Sequence, residues 1–84
     1  MMGRYQQGGL VKALFKDDLT GESERMWVKV ESSDDERRVV FGSLDNEPIA
    51  VFQDKLWLGK EVAVSYDLIV DVYREGQSPR SRVQ

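Results

Sequence analysis

The chain is read as a small, mainly β domain: an antiparallel SH3-like barrel or a strongly bent sheet of five to six strands. Three observations lead there. Several short segments alternate apolar and polar residues with period two, turn-forming residues separate them about every 8 to 12 positions, and no stretch carries a helical or coiled-coil repeat. The 84 residues suffice for one core, and a chain of this size buries only roughly 60% of its unfolded surface. A barrel also removes the sheet edges that invite aggregation.

The first nine residues, rich in Gly and Gln, read as a flexible leader (1–9). From Leu10 to Lys16, Val11, Ala13 and Phe15 alternate with Lys12, Leu14 and Lys16, which predicts a strand with Val11 and Phe15 turned inward. Asp17 to Ser23 is a loop. In Glu24 to Ser32, Met26, Val28 and Val30 occupy one face and Arg25, Trp27, Lys29 and Glu31 the other.

Ser32 to Asp35 supplies a turn, and Glu36 to Leu44 returns as a third strand. A tight hairpin there sets Met26 opposite Phe41 and Val28 opposite Val39, both pairs in the core. A slip of one residue would pair Trp27 with Phe41 instead, since every side chain then changes face.

Asp45-Asn46-Glu47-Pro48 is a turn in which Asn46 tolerates a left-handed backbone. Ile49 to Phe52 reads as a short strand, with a single helical turn over Gln53 to Leu56 as the alternative. Beyond the glycine turn at Gly59, Val62, Val64 and Tyr66 alternate inward, and Leu68, Ile69 and Val70 close the domain at residue 72. Residues 73–84 are polar and read as a disordered tail, because they cannot bury enough apolar area to offset their ordering entropy.

Three motifs carry a family resemblance: Glu24-Arg25-Met26-Trp27-Val28-Lys29-Val30, Gly42-Ser43-Leu44-Asp45-Asn46-Glu47-Pro48, and Leu58-Gly59-Lys60-Glu61-Val62-Ala63-Val64. With the close at Ile69 and Asp71, they make residues 10–72 resemble the bacterial YegJ-like family of small domains of unknown function. The resemblance implies a small domain without an established activity, so no catalytic residue carries over. Gly59 to Val64 also looks like the turn and strand of many SH3-like barrels, a likeness of fold and not of function.

The chain contains neither Cys nor His, which removes thiol nucleophiles, disulfides, the usual proton shuttle near neutral pH and the commonest metal ligand. No carboxylate pair or activated nucleophile has the spacing of an enzyme, so the expectation is a non-enzymatic protein with no cofactor and no metal. Asp17, Asp18, Glu22 and Glu24 crowd one loop without the ligand spacing of a calcium site, and read as a solvated loop. The Ser32 to Glu36 turn reads the same way.

The net charge is −3, but residues 9–72 hold 8 Lys and Arg against 14 Asp and Glu, while residues 74–84 are basic. An acidic body disfavours a nucleic-acid groove. No signal-peptide core or apolar run of ~18 residues is present, so no membrane span is expected and the chain is read as cytoplasmic.

The candidate binding residues are Trp27, Trp57, Arg25 and Val40. Trp27 lies on the polar face of its strand, which Leu10, Leu14 and Val40 could share, making a partner surface or dimer contact; the alternative is a Trp that plugs an end of the barrel or is covered by the leader. Trp57, next to the Gly59 turn, suits stacking or closure of the core. Arg25, Arg37 and Arg38 could gather for an acidic partner or pair with Glu24, Glu31 and Glu36. The leading functional expectation is a protein- or peptide-interaction module. The alternatives are a nucleic-acid-binding barrel and an immunity or regulatory protein.

Overall fold

A computed structural model describes residues 3–48, 52 and 54–73. It contains five strands, β1 (Leu10–Lys16), β2 (Ser23–Asp34), β3 (Val39–Leu44), β4 (Glu61–Ser65) and β5 (Ile69–Tyr73), with a 3₁₀ turn over Tyr66–Leu68. All ladders are antiparallel, and the sheet order is β4-β3-β2-β1-β5. The mainly β reading holds.

The sheet is not a closed barrel. β4 and β5 are its two edges, and no ladder joins them among the described residues. Yet only Tyr66–Leu68 connects them. In a flat sheet four strand spacings would separate the edges by roughly 19 Å, more than the roughly 14 Å that four residue steps can span. The sheet is therefore bent but open.

The core lies on its concave face. Val11, Ala13, Met26, Val28, Val30, Val40, Leu44, Phe52, Val64 and Tyr66 are buried there, and Phe15, Val62, Ile69 and Val72 pack around them. On β1 the deeply buried pair is Val11 and Ala13, with Phe15 half-buried where the strand runs out towards its loop.

The β2–β3 hairpin departs from the expected register. Phe41 faces Ser32, and Val28 faces Leu44. Two causes act together. β2 runs on to Asp34, whose Oδ1 accepts from the amides of Glu36 (3.0 Å) and Arg37 (3.2 Å), so the turn is Asp35 to Arg38, with Arg38 left-handed at φ 57°. The register also shifts between Val30 and Ser32, leaving Glu31 as an extra residue in a bulge.

That one residue reverses the parity of β3. Val40, Gly42 and Leu44 turn inward, and Val39 and Phe41 turn outward. Gly42 permits close approach, since a Cβ there would lie 2.1 Å from the Lys29 carbonyl oxygen. A second shift, beside Val70 on β5, leaves Val70 exposed, and Leu68 is exposed in the 3₁₀ turn. Only Ile69 of the expected apolar close packs on the core.

Residues 49–51, most of the expected fourth strand, lie outside the described set. The Phe52 carbonyl accepts from the amides of Lys55 (2.9 Å) and Leu56 (2.8 Å), the geometry of a helical turn. Gly59, at φ 89°, then turns the chain into β4: its amide donates to the Leu44 carbonyl (2.7 Å).

Residues 3–9, read from composition as a leader, run beside the end of β2. The Gly8 amide donates to the Val30 carbonyl and the Val30 amide to that of Gly9. The Ser33 hydroxyl donates to the Tyr5 carbonyl (2.7 Å), and the Tyr5 ring meets Tyr66 edge-on at 4.9 Å. Of the expected tail, Tyr73 ends β5 and the remainder lies outside the described residues. No helix among the described residues is long and apolar enough to cross a membrane.

Candidate functional site

Two of the four sequence-predicted residues, Trp27 and Arg25, share the convex face of β1 and β2. Alternation turns Leu10, Lys12, Leu14 and Lys16 out from β1 and Arg25, Trp27 and Lys29 out from β2. The register then places Lys12 opposite Trp27, Leu14 opposite Arg25 and Leu10 opposite Lys29. Trp27 is thus flanked by Arg25 and Lys29 along β2 and by Lys12, between Leu10 and Leu14, on the β1 side.

Its backbone is held on both sides. The Trp27 amide donates to Asn46 Oδ1, and its carbonyl accepts from the Asp45 amide at 2.8 Å. The indole is half-buried, with Lys12 Nζ 5.0 Å from its ring centroid. That contact is a cation–π pair, worth about 0.5–1 kcal/mol at an exposed site. Asn46 is right-handed or extended here, and its contribution is the side-chain acceptor.

Trp57 is 54% exposed, with Lys60 Nζ 4.4 Å from its ring. Its carbonyl accepts from the Lys60 amide, and Lys60 and Gly59 bond to Leu44. Both tryptophans therefore flank the segment 44–46. Their rings make no mutual contact among the described residues, where the close aromatic pair is Tyr5 with Tyr66.

Arg25 joins Trp27 on the convex face, but Val40 does not. Val40 is fully buried opposite Val64, because the Glu31 bulge sends it inward, and Phe41 takes the outward place at 37% exposure. Arg37 and Arg38 are elsewhere. Arg37 pairs with Asp34 (3.6 Å) and Arg38 with Asp67 (2.8 Å), rather than with Glu24, Glu31 or Glu36. The Arg38 guanidinium also lies 5.5 Å from the Tyr66 ring centroid, and Asp67 holds its pKa above the ordinary value.

The acidic loop is not simply solvated. Asp17 is 4% exposed; its Oδ2 accepts from the amide and hydroxyl of Thr20, both at 2.9 Å, and its Oδ1 pairs with Lys55 at 2.8 Å. The Lys55 hydrogen bond, then those of Thr20, hold the Asp17 carboxyl at about 2. It is a clamp joining the β1–β2 loop to the turn before β4. The sequence reading missed it; the Asp-x-x-Thr spacing, a side chain bonding the backbone three residues on, is the signal that could have found it. No three acidic side chains converge as a cation site among the described residues.

Asp35 is a second such clamp. Its Oδ1 accepts from the Tyr66 hydroxyl and from the Arg4 amide (2.9 Å), and these two bonds lower its pKa. Tyr66 moves up, through burial first and then the bond to Asp35. These groups lie away from Trp27.

Two concavities do too. A groove of ≈ 1020 Å³ is lined by Tyr5, Leu10, Val11, Val30, Val72 and Tyr73 among others, and a shallower one of ≈ 240 Å³ lies by Phe41, Glu31 and Glu61.

Fold and site together define a small open β-sheet domain with a one-sided aromatic and cationic face. Compared with known proteins, the chain matches no protein-family model, no curated protein and no solved structure.

Proposed function

We propose that this chain is a non-enzymatic interaction module with an SH3-like strand arrangement, which docks a protein or peptide on the convex face around Trp27. The carrying observation is Trp27 itself: a half-buried indole on the face opposite the core, fixed at its amide and carbonyl, with Lys12 over its ring. Aromatic anchors held rigid in this way lose little entropy on binding and dominate interface energetics. Arg25 is the adjoining polar contact and Trp57 lies at the rim. The strand order and the three-residue 3₁₀ link from β4 to β5 support the SH3-like reading. The YegJ-like resemblance is proposed on its motifs alone and adds no residue role.

The test is peptide-display selection on wild type, with the ligands reassayed on a folded Trp27→Ala variant. Selected peptides should lose at least about tenfold in affinity on the variant, the weight of a central aromatic. Ligands that bind both proteins equally would remove Trp27 from the function.

The second reading is single-strand nucleic-acid binding, favoured by four cations and one aromatic on the same face. The carboxylates of Asp18, Glu22, Asp45 and Glu47 at its margins weigh against it. A salt titration with single-stranded RNA and DNA decides between the two.

A further inference from the structure

Four of the eight Lys and Arg in residues 9–72 stand on the convex face of two strands: Lys12, Lys16, Arg25 and Lys29. The paired stretches Leu10–Lys16 and Ser23–Lys29 contain a single carboxylate, Glu24, and its place opposite Phe15 gives it the other parity. In a body that is acidic overall, this is a local reversal of sign. It is also ordered. Along β2 from Arg25 to Lys29 the outward residues read Arg25, Trp27, Lys29, cation then aromatic then cation, at two-residue intervals, and the exposed carboxylate of Glu31 ends the row.

An extended strand advances about 3.4 Å per residue, so Arg25 and Lys29 stand ~14 Å apart with Trp27 midway. An extended ligand has the same side-chain period. Its own residues at i, i+2 and i+4 would meet the row in register, with the intervening residues directed to solvent. Complementarity then requires a carboxylate, an apolar side chain and a carboxylate.

The β1 row suits such a ligand less well as its main track. Asp71 of β5 stands opposite Lys12, and Lys12 is engaged over the Trp27 ring. A long polyanion is also a poor match, because Asp18 and Glu22 precede the strip at one end, Glu31 follows Lys29 at the other, and Asp45 joins β2 through its amide bond to the Trp27 carbonyl. A short acidic segment spans only Arg25 to Lys29, inside Glu22 and Glu31.

We propose that the convex face of β2 takes an extended acidic segment of a partner protein, with the pattern acid-x-Leu-x-acid. Its leucine lies on Trp27 and its carboxylates meet Arg25 and Lys29. This rests on the interaction reading above and adds the chemistry and register of the ligand. Binding is weak and salt-dependent, as expected of two exposed ion pairs beside one apolar anchor.

The experiment uses the full chain carrying Trp57→Phe, which leaves Trp27 as the only tryptophan to report by fluorescence. The probe is a capped peptide, Gly-Glu-Ser-Leu-Ser-Glu-Gly. Controls are a peptide of the same composition with its two Glu adjacent, one with Lys in place of both Glu, and a single-stranded oligo-dT. The Glu-x-Leu-x-Glu peptide should shift Trp27 emission and bind roughly tenfold more tightly than either peptide control. Adding Arg25→Glu and Lys29→Glu, with the fold checked by circular dichroism, should reverse the preference towards the Lys peptide.

Equal binding of the spaced and adjacent peptides overturns the register, and tighter binding of oligo-dT than of the acidic peptide overturns the ligand class. Concentration-dependent emission without any peptide, matched by sedimentation as a dimer, would make a second copy the occupant and overturn the proposal. If the charge-reversed variant does not fold, the peptide series on the Trp57→Phe chain decides alone. If the acidic peptide fails while display-selected ligands of other composition still shift Trp27, this inference falls and the interaction module stands. If neither shifts Trp27, both fall.

Discussion

The Tyr66 hydroxyl donates to Asp35 Oδ1 at 2.6 Å, across 31 positions of sequence, and the same oxygen accepts from the Arg4 amide. One carboxylate thus ties the β2–β3 turn to the 3₁₀ turn and to the segment before β1. Tyr66→Phe keeps the buried ring and removes the bond, and it is expected to lower the urea midpoint modestly. Tyr66→Ala also empties the core and should cost about 3–5 kcal/mol. Equal losses for the two would make the hydroxyl, not the ring, the stabilising part.

The acid limb of stability follows from Asp17 and Asp35. Both pKa values are depressed in the folded chain, that of Asp17 to about 2. A depressed carboxyl contributes stability that is present above its unfolded value near 4 and is lost as pH falls through the folded one. Urea midpoints should therefore fall between about pH 4 and pH 2. In Asp17→Asn that fall should be shallower, with lower stability at pH 7.

Parity of β3 is open to a direct comparison. Val40→Ala should cost about 2 kcal/mol, two methyl groups from a fully buried side chain plus the cavity they leave. Phe41→Tyr adds a hydroxyl on the solvent side and should stay within ~0.5 kcal/mol. The reverse order, measured by chemical denaturation, would mean that Phe41 points inward and no bulge is present.

Asn46 has one function that an alanine cannot supply, accepting from the Trp27 amide. Asn46→Ala should destabilise by about 1–3 kcal/mol, the cost of an unpaired, partly buried donor. Asn46→Asp retains the acceptor and should recover most of that. Trp27 emission should shift with Asn46→Ala and not with Asn46→Asp.

At Gly42 any side chain meets backbone, because a Cβ would sit 2.1 Å from the Lys29 carbonyl. Gly42→Ala should cost at least about 1–3 kcal/mol, since β2 and β3 must separate to admit it. A neutral effect in thermal unfolding would mean that the two strands are not in this register.

Much of the fold was legible locally. Alternation alone assigned β1, β2 and β4, set Arg25 and Trp27 on the face opposite Met26, Val28 and Val30, and marked Gly59 as the turn. These are period-two and backbone properties of consecutive residues, so a sequence displays them directly. Val39, Val40 and Phe41 are all apolar and display no parity. There the extra residue Glu31, on the partner strand, decided which two face water. The cationic face was hidden for a related reason: Lys12 and Lys16 join Arg25, Trp27 and Lys29 only through the β1–β2 register. The Asp17–Lys55 and Asp35–Tyr66 clamps likewise span chain segments that only folding brings together. Which residues alternate was determined by the sequence itself. Which faces meet, and whether the edges close, was decided by pairing between distant strands, where a one-residue bulge reverses every side chain beyond it.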